Sequence, residues 1–194
     1  MRPLPIYTIG YGARDIEAFV AVLQAHQIAY LVDVRSAPYS RFKPEFSRQA
    51  LEQHLFAHGI RYVFMGDTLG GKPDDPTCYE DGKIIYAKVE NLPFYQEGIG
   101  RLLKAHQQKL PVVLMCSEGK PEMCHRSKLI GKTLDKMGIP VQHIDENDRL
   151  ISQKDAELRV TGGQLSLLGD DFQQYTSRKR YRPGTEQITE EEDA

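Results

Sequence analysis

Cysteine, net charge and long apolar segments are all scarce in this 194-residue sequence. The three cysteines, Cys78, Cys116 and Cys124, are too few and too odd in number for a secreted disulfide scaffold, and they indicate a reducing compartment. No apolar run is longer than a strand, which predicts a protein without membrane spans. Residues 1–5 lack the apolar core of a signal peptide, so we expect a cytoplasmic protein.

The formal net charge is −2, so the chain as a whole has no attraction for nucleic acid or for an anionic membrane, and any basic function has to be local. With 40% hydrophobic and 27% charged residues, the composition is typical of a globular protein with a core. The regular apolar pattern is lost from Thr161 onward. We therefore predict one α/β domain over residues 1–160 and a flexible C-terminal tail over residues 161–194.

Segments with the apolar pattern of strands alternate with segments that have the pattern of amphipathic helices. Strands are predicted at residues 6–9, 29–35, 61–65, 111–116 and 141–144. Helices are predicted after Asp15 and at residues 47–58, 94–107, 123–137 and 147–158. Residues 66–82 are expected to be a loop, and residues 83–89 fit either a strand or a helix. This alternation predicts a three-layer α/β fold, in which a mostly parallel sheet has helices on both faces.

In such folds the ligand crevice lies beyond the carboxyl ends of the strands. We therefore expect four loops to meet there, at residues 10–14, 33–46, 66–72 and 116–126. Together these loops carry two carboxylates, several cations, a histidine and two thiols. The sequence thus predicts one chemically rich pocket at this edge of the sheet.

The last of these loops has the strongest chemical signal. A buried strand ends at Cys116, and a helix pattern begins near Cys124 and His125. The helix N-terminus and the charges of Lys120, His125 and Arg126 are expected to lower the pKa of Cys116, which makes it a candidate nucleophile. Cys124 is a candidate resolving thiol, and His125 is a candidate acid/base. The alternative is a pair of inert cysteines that pack in the core.

Asp33 and Arg35 lie two residues apart on one strand, so their side chains share a face. Asp33 is a candidate catalytic residue that holds Arg35 or orients His125, and the alternative is a structural ion pair. An anionic substrate is expected to bind the cations and backbone N–H groups of the four loops. The candidate anion-binding residues are Gly10, Tyr11, Gly12, Arg35, Ser40, Arg41, Gly70, Gly71, Glu118, Lys120 and Arg126.

A metal site is a third interpretation of the same loop. Cys116, Glu118, Cys124 and His125 carry the donor atoms that zinc binds in proteins. Their C-x7-C-H spacing matches no common zinc pattern, and the neighbours Cys124 and His125 are awkward as ligands on one helix. We therefore predict no metal and no cofactor.

These motifs resemble those of the DUF488 family. The shared elements are Tyr7–Gly12, Leu31–Ser36 with Pro38, Ser40 and Arg41, Leu69–Gly71, and Cys116-x-Glu118 followed by Cys124-His125-Arg126. They occur in the expected order and cover most of residues 6–145. The resemblance implies membership of this family and no particular activity.

Two segments are also similar to rhodaneses, in which a D-x-R strand precedes a strand that ends in the catalytic cysteine. Asp33 and Arg35 match the D-x-R pair, and Cys116 matches that cysteine. This resemblance implies sulfur-transfer chemistry at Cys116. The sequence departs from the pattern between Cys116 and Arg126, where its loop is longer than the compact active-site loop of rhodaneses and cysteine phosphatases.

A short tail motif is similar to the peptide that docks into the groove of bacterial sliding clamps. Its docking residues are Gln164, Leu165, Leu167 and Leu168. The resemblance implies recruitment to DNA replication or repair. The basic residues 178–180 would add weak contact with nucleic acid. The alternatives are an apolar strap packed on the domain and a solvated cluster of charges.

The sequence supports two functions from different classes. The first is a cysteine-dependent enzyme, a sulfurtransferase-like, redox or hydrolytic one, that acts on a small anionic substrate. The second is a non-catalytic module that binds a nucleotide or nucleic acid in the same pocket and is recruited by a sliding clamp.

Overall fold

A computed structural model of the chain describes residues 4–160 and 176–181. Its strands are β1 (Ile6–Gly10), β2 (Tyr30–Asp33), β3 (Arg61–Phe64), β4 (Tyr79–Glu80), β5 (Lys83–Ile84), β6 (Val112–Cys116), β7 (Val141–Ile144) and β8 (Leu150–Ser152). The main sheet has the order β3-β2-β6-β1-β7-β8, in which β8 runs antiparallel to β7 and the other pairs are parallel. Strands β4 and β5 form a separate antiparallel hairpin.

The helices are α1 (Ile16–Ala25), α2 (Arg48–Ala57), α3 (Gly66–Leu69), α4 (Tyr86–Val89), α5 (Pro93–Gln107), α6 (Lys132–Lys136) and α7 (Gln153–Val160). Short 3-10 turns occur at Pro44–Phe46, Pro76–Cys78 and Pro121–Met123. A π-helical segment, Arg126–Gly131, leads directly into α6. Among the described residues, no helix is both long enough and apolar enough to span a bilayer.

Successive side chains of each strand enter two different cores, because the side-chain period of a strand is two residues. Leu114 and Cys116 belong to a core that includes residues of α5 and α6. Val113 and Met115 belong to a core that includes residues of α1 and α2. The sheet is therefore covered on both faces, which confirms the predicted three-layer α/β fold.

Three segments differ from the sequence-based prediction. The expected loop 66–82 contains α3, a 3-10 turn and β4. The expected helix 147–158 begins as strand β8, because backbone pairing with the edge strand β7 overrides the local helical pattern. The expected helix 123–137 is divided into the end of a 3-10 turn, the π-helical segment and α6.

The part of the tail that the structure describes, Thr176–Tyr181, lies against the β4–β5 hairpin. Thr176 forms a β-bridge with Ile85, and the N–H of Ser177 donates to the carbonyl of Ile84 at 3.0 Å. The N–H of Tyr181 donates to the carbonyl of Gly82 at 2.6 Å. We call this stretch the C-terminal segment. The division of the chain at residue 160 stays a prediction.

Candidate functional site

The carboxyl ends of β1, β2 and β6 lie side by side, but the residues predicted there are divided between the two faces of the sheet. In the register of the strands, Asp33 is the partner of Met115. Register partners share a face, whereas the next residue along, Cys116, points to the opposite face. Asp33 and Cys116 are therefore separated by the sheet. The residues expected to line a single pocket therefore lie on two different faces of the sheet.

Two thiols and an imidazole meet on one of these faces. Sγ of Cys116 lies 3.9 Å, and Sγ of Cys124 lies 3.7 Å, from Nδ1 of His125. Cys116 is placed by the end of β6, and the other two residues lie between the 3-10 turn Pro121–Met123 and the π-helical segment. All three side chains are buried. We call these three residues the thiol cluster.

The ring of His125 is held by a backbone group and not by a carboxylate. Its Nε2 lies 3.1 Å from the carbonyl of Val34 and donates a hydrogen bond to it. Nδ1 of the neutral ring is then an acceptor that faces both thiols. Gly71 packs against the ring so closely that a Cβ there would lie 2.7 Å from Nδ1. Of the two roles predicted for Asp33, orienting His125 is not observed, because Val34 takes that place.

The two thiols differ in acidity. The hydrogen bond with Cys124, reinforced by burial, raises the pKa of Cys116 to about 12. Burial also opposes ionisation of Cys124, but the hydrogen bond from Cys116 and the charge of Arg126 outweigh it and lower the pKa of Cys124 to about 7. The sequence predicted the lower pKa for Cys116, and on this point the prediction is wrong. Cys124 is the more acidic of the two thiols, because the neighbouring Cys116 and the charge of Arg126 both favour its thiolate form.

The thiol cluster could also hold a soft metal ion. The three donor atoms lie within 4.8 Å of one another. Zinc is bound at about 2.3 Å by thiolates and about 2.0 Å by imidazoles, and a ligating imidazole commonly donates its other N–H to a carbonyl, as His125 does. Glu118, the fourth expected donor, instead lies with its carboxylate 3.4 Å from Arg178. The adjacency of Cys124 and His125 therefore does not prevent both from facing one point.

On the other face, Asp33 is the centre of a buried hydrogen-bond network. Its Oδ1 accepts from Nε of Arg35 at 2.9 Å, and its Oδ2 accepts from Nη2 of Arg35 at 2.7 Å and from the hydroxyl of Tyr62 at 2.8 Å. Arg35 also donates to the carbonyl of Phe46 at 2.8 Å. Among the described residues, Nη1 of Arg35 is buried without a hydrogen-bond partner. This arrangement is that of a structural ion pair.

Two other predicted anion-binding residues, Tyr11 and Ser40, lie near this network. Tyr11 stacks on Phe46, with ring centroids 4.3 Å apart, and its hydroxyl is 3.4 Å from Oγ of Ser40. Arg41 is exposed, with its guanidinium 5.8 Å from the ring centroid of Phe42. The structure brings Tyr11, Arg35 and Ser40 together, but on the face that lacks the thiols.

Arg126 supports the loop between Cys116 and Cys124. It is fully buried, its Nε donates to Oγ1 of Thr8 at 3.2 Å, its Nη2 donates to the carbonyl of Gly119 at 2.9 Å, and its Nη1 donates to the carbonyl of Glu118. A Cβ at Gly10 would collide with that same Glu118 carbonyl. Gly10 and Arg126 were predicted to bind an anion, and the structure instead uses both to fix this loop.

The remaining predicted residues have separate positions. The N–H of Gly12 donates to the carbonyl of Ser117 at 2.9 Å. Gly70 is buried against Ser36, whose hydroxyl accepts from the N–H of Lys72 at 2.8 Å. Lys120 is exposed. These contacts order the loops around the thiol cluster.

A buried polar chain behind Arg126 was missed by the sequence analysis. Thr8 donates to Nδ1 of His143 at 2.7 Å, and Nε2 of His143 donates to Oε1 of Gln153 at 2.8 Å. Burial, together with the charge of Arg126, lowers the pKa of His143 to about 3, so the ring is neutral. The one signal for this chain is a pair of polar residues, Thr8 and His143, inside apolar strands.

The clamp-like motif, Gln164, Leu165, Leu167 and Leu168, lies outside the described residues. Its docking role, and the contact with nucleic acid expected from the basic tail, stay predictions.

A family model described as Domain of unknown function DUF488 matches residues 15–132. The matched span runs from α1 to the start of α6 and includes the whole thiol cluster. No curated protein and no solved structure matches the chain. The family match covers more than half of the sequence and agrees with the motifs described above, so the chain belongs to the DUF488 family.

Proposed function

We propose that the protein is a cysteine-dependent enzyme that exchanges its thiols with a sulfur electrophile, a disulfide or a sulfane-sulfur compound. One observation carries this proposal: two buried thiols lie within 4 Å of the same imidazole nitrogen, and the ring is fixed by the Val34 carbonyl. A thiolate, a second thiol and a base in contact are the parts that thiol exchange requires.

Cys124 is the attacking thiolate, and Cys116 is the resolving thiol. This assignment reverses the roles expected from the sequence, because the lower pKa belongs to Cys124. A thiol with a pKa near the ambient pH is the best attacking group, since it is both ionised and nucleophilic. His125 faces both sulfurs with Nδ1 and is placed to accept the proton of Cys116.

The reaction proceeds in two displacements. The sulfur of Cys124 attacks one sulfur of the substrate disulfide, the S–S bond breaks, and the other substrate sulfur leaves as a thiolate. Nδ1 of His125 then takes the proton of Cys116, whose sulfur attacks Cys124 and releases the second substrate sulfur. The two cysteines are oxidised by two electrons to a disulfide, and the substrate is reduced by two electrons to two thiols.

The charges around the cluster favour a thiolate over a divalent cation. Arg126 stabilises the negative charge of Cys124, and Lys128 interacts electrostatically with the same sulfur. The same positive charges would repel Zn²⁺. A metal site on these three residues is therefore the competing outcome of the test.

Oxidised glutathione tests the assignment of roles. We expect the wild-type protein to lose two hydrogens in intact mass as Cys116 and Cys124 join. Cys116→Ser should instead accumulate a glutathione adduct on Cys124, because no thiol remains to resolve it. Cys78→Ala is the matched control and should behave as wild type, since Cys78 lies in the 3-10 turn Pro76–Cys78 and burial raises its pKa to about 11.

Iodoacetamide labelling supplies the pH dependence. The rate at Cys124 should rise with pH and reach its half-maximum near pH 7, and Cys116→Ala should move this midpoint upward by removing the hydrogen bond that favours the thiolate. Absence of any adduct or disulfide would contradict the proposal. So would a stoichiometric metal ion that blocks labelling until a chelator removes it.

A further inference from the structure

Lys128 lies next to Cys124, and two further cations that the sequence analysis did not assign to the thiols, Lys83 and Arg178, interact electrostatically with Lys128. Lys128 lies in the π-helical segment, and its backbone N–H donates to the carbonyl of Cys124 at 3.1 Å. Lys83 belongs to the hairpin, and Arg178 belongs to the C-terminal segment. The backbone pairing of Ser177 with Ile84 brings Arg178 next to Lys83.

Within the part of the chain that the structure describes, few carboxylates lie near these cations. Among the described residues, two carboxylates lie near them: that of Glu118, at 3.4 Å from Nη1 of Arg178, and that of Glu80, which is opposite Lys83 in the hairpin and pairs with Lys88. Within residues 4–160 and 176–181, the ammonium groups of Lys83 and Lys128 have no hydrogen bond or ion pair. Burial lowers the pKa of Lys128, and the charges of Arg178 and Lys83 lower it further, whereas Cys124 raises it. Like charges held together at a half-buried position destabilise the fold unless an anion joins them.

The arginines on which the sequence analysis relied cannot supply this anion contact. Arg35 lies on the opposite face and is bound to Asp33 and to the Phe46 carbonyl. Arg126 is bound to Thr8 and to two loop carbonyls. The cations near Cys124 that keep N–H donors for a ligand are thus those of the hairpin, the π-helical segment and the C-terminal segment.

We propose that Lys83, Lys128 and Arg178 form a binding site for the anionic group of the substrate that reacts with Cys124. The substrate class is then a small sulfur electrophile that carries a carboxylate or sulfonate. Lys128 also lies where it favours the negative charge on sulfur, both on Cys124 before attack and on the leaving thiolate afterwards. The reaction at Cys124 rests on the function proposed above, whereas the anion site can be tested without it.

The first experiment compares two alkylating reagents of similar size, anionic iodoacetate and neutral iodoacetamide, at Cys124. Both reagents react with the same Cys124 thiolate and have a similar size. The ratio of their rates therefore does not change when a substitution alters the ionised fraction of Cys124 or its exposure to both reagents. We expect Lys83→Met and Lys128→Met each to lower the ratio by about threefold or more, and higher salt to lower it in the wild type. Lys104→Met is the matched control, because Lys104 is exposed near the end of α5. This helix leads into the amino end of β6, whereas Cys116 lies at the carboxyl end of the same strand.

The second experiment measures thermal unfolding with millimolar sulfate against chloride of equal ionic strength. A bound anion raises the midpoint of unfolding by mass action. We expect sulfate to raise it in the wild type and to have no such effect in the Lys83→Met/Lys128→Met double variant, whose folding is checked by its midpoint in chloride.

The outcomes separate the two proposals. An equal sulfate effect in the wild type and the double variant, or an unchanged reagent ratio in both single variants, overturns the anion site. A sulfate effect that depends on the lysines, found in a protein that forms no disulfide with glutathione, retains the anion site and removes only the thiol-exchange function.

Discussion

At the carboxyl ends of the strands, both faces of the sheet carry buried polar groups, but these groups differ in how fully they are hydrogen-bonded. On the Asp33 face, both carboxylate oxygens are hydrogen-bonded, and Arg35 and Tyr62 are their donors. On the face of the thiol cluster, both sulfurs share one ring nitrogen, Nδ1 of His125, as a hydrogen-bond partner. The ammonium groups of Lys83 and Lys128 have no partner among the described residues. The satisfied Asp33 carboxylate stabilises the fold, although Nη1 of Arg35 has no partner among the described residues, whereas the lysines on the other face are available for a ligand.

This contrast shows that position at the carboxyl edge does not by itself identify a functional residue. Asp33, Arg35 and Cys116 all lie at strand ends, and the pleat of the strands separates the ion pair from the thiol. The comparison can be tested by substitutions on each face, each read both for stability and for the reactivity of Cys124.

The largest effect on stability is expected for Asp33→Asn. The substitution leaves Arg35 buried without its counter-charge, which costs about 3–5 kcal/mol of the free energy of unfolding. The labelling rate of Cys124 in the folded protein should not change, because the sheet separates the two sites. Urea unfolding and iodoacetamide labelling measure the two quantities.

Tyr62→Phe is the milder companion on this face, since it removes one hydrogen bond and should cost about 1 kcal/mol. The opposite result for Asp33→Asn, normal stability with an unreactive Cys124, would restore the catalytic role predicted for Asp33 from the sequence.

A substitution on the other face should have the reverse pattern. In Gly71→Ala, the new Cβ lies 2.7 Å from Nδ1 of His125, so the ring must move away from the thiols or from Val34. We expect Cys124 labelling to slow by about tenfold at pH 7, with a loss of about 1–3 kcal/mol in stability. Gly100→Ala is the matched control, because nothing lies within 4 Å of its Cβ and an exposed helical position gains about 0.5–1 kcal/mol from alanine. Normal labelling of Gly71→Ala would mean that His125 does not control the thiols.

The smallest effect is expected for Ser40→Ala. The hydroxyl has long contacts, 3.4 Å from Tyr11 and 3.3 Å from the N–H of Lys43, so its loss should cost less than about 1 kcal/mol. The iodoacetate-to-iodoacetamide ratio at Cys124 should be that of the wild type. A lowered ratio would place Ser40 in the anion site after all and would remove the distinction between the two faces.

Much of the fold follows from local patterns in the sequence. Asp15 caps α1 as expected, with its side chain accepting from the N–H of Ala18 at 2.7 Å. The parallel strands lie where the apolar runs predict them, because both of their faces are buried. The strand β8 could not be predicted in the same way, since its antiparallel pairing with the neighbouring β7 is concealed by a helical pattern in the sequence.

The site was predictable in composition but not in arrangement. The segment from Cys116 to Arg126 contains all three residues of the thiol cluster, and the alternation rule correctly puts Asp33 and Arg35 on one face. Whether that face is also the face of Cys116 depends on the register between β2 and β6, which no local pattern encodes. The same limit concealed Lys83 and Arg178, because chain segments distant in sequence bring them to Lys128.

The π-helical segment Arg126–Gly131 predicts which members of the family share the thiol chemistry proposed above. Such a segment holds one residue more than an α-helical turn would, and each α-helical residue turns the chain by about 100°. Deleting a single residue here would let α6 keep its packing while turning Cys124 and His125 away from Cys116. Relatives with a segment one residue shorter should therefore keep the fold and both cysteines and lack the chemistry. The number of residues in this segment would then distinguish family members with the proposed thiol chemistry from those without it better than the presence of both cysteines does.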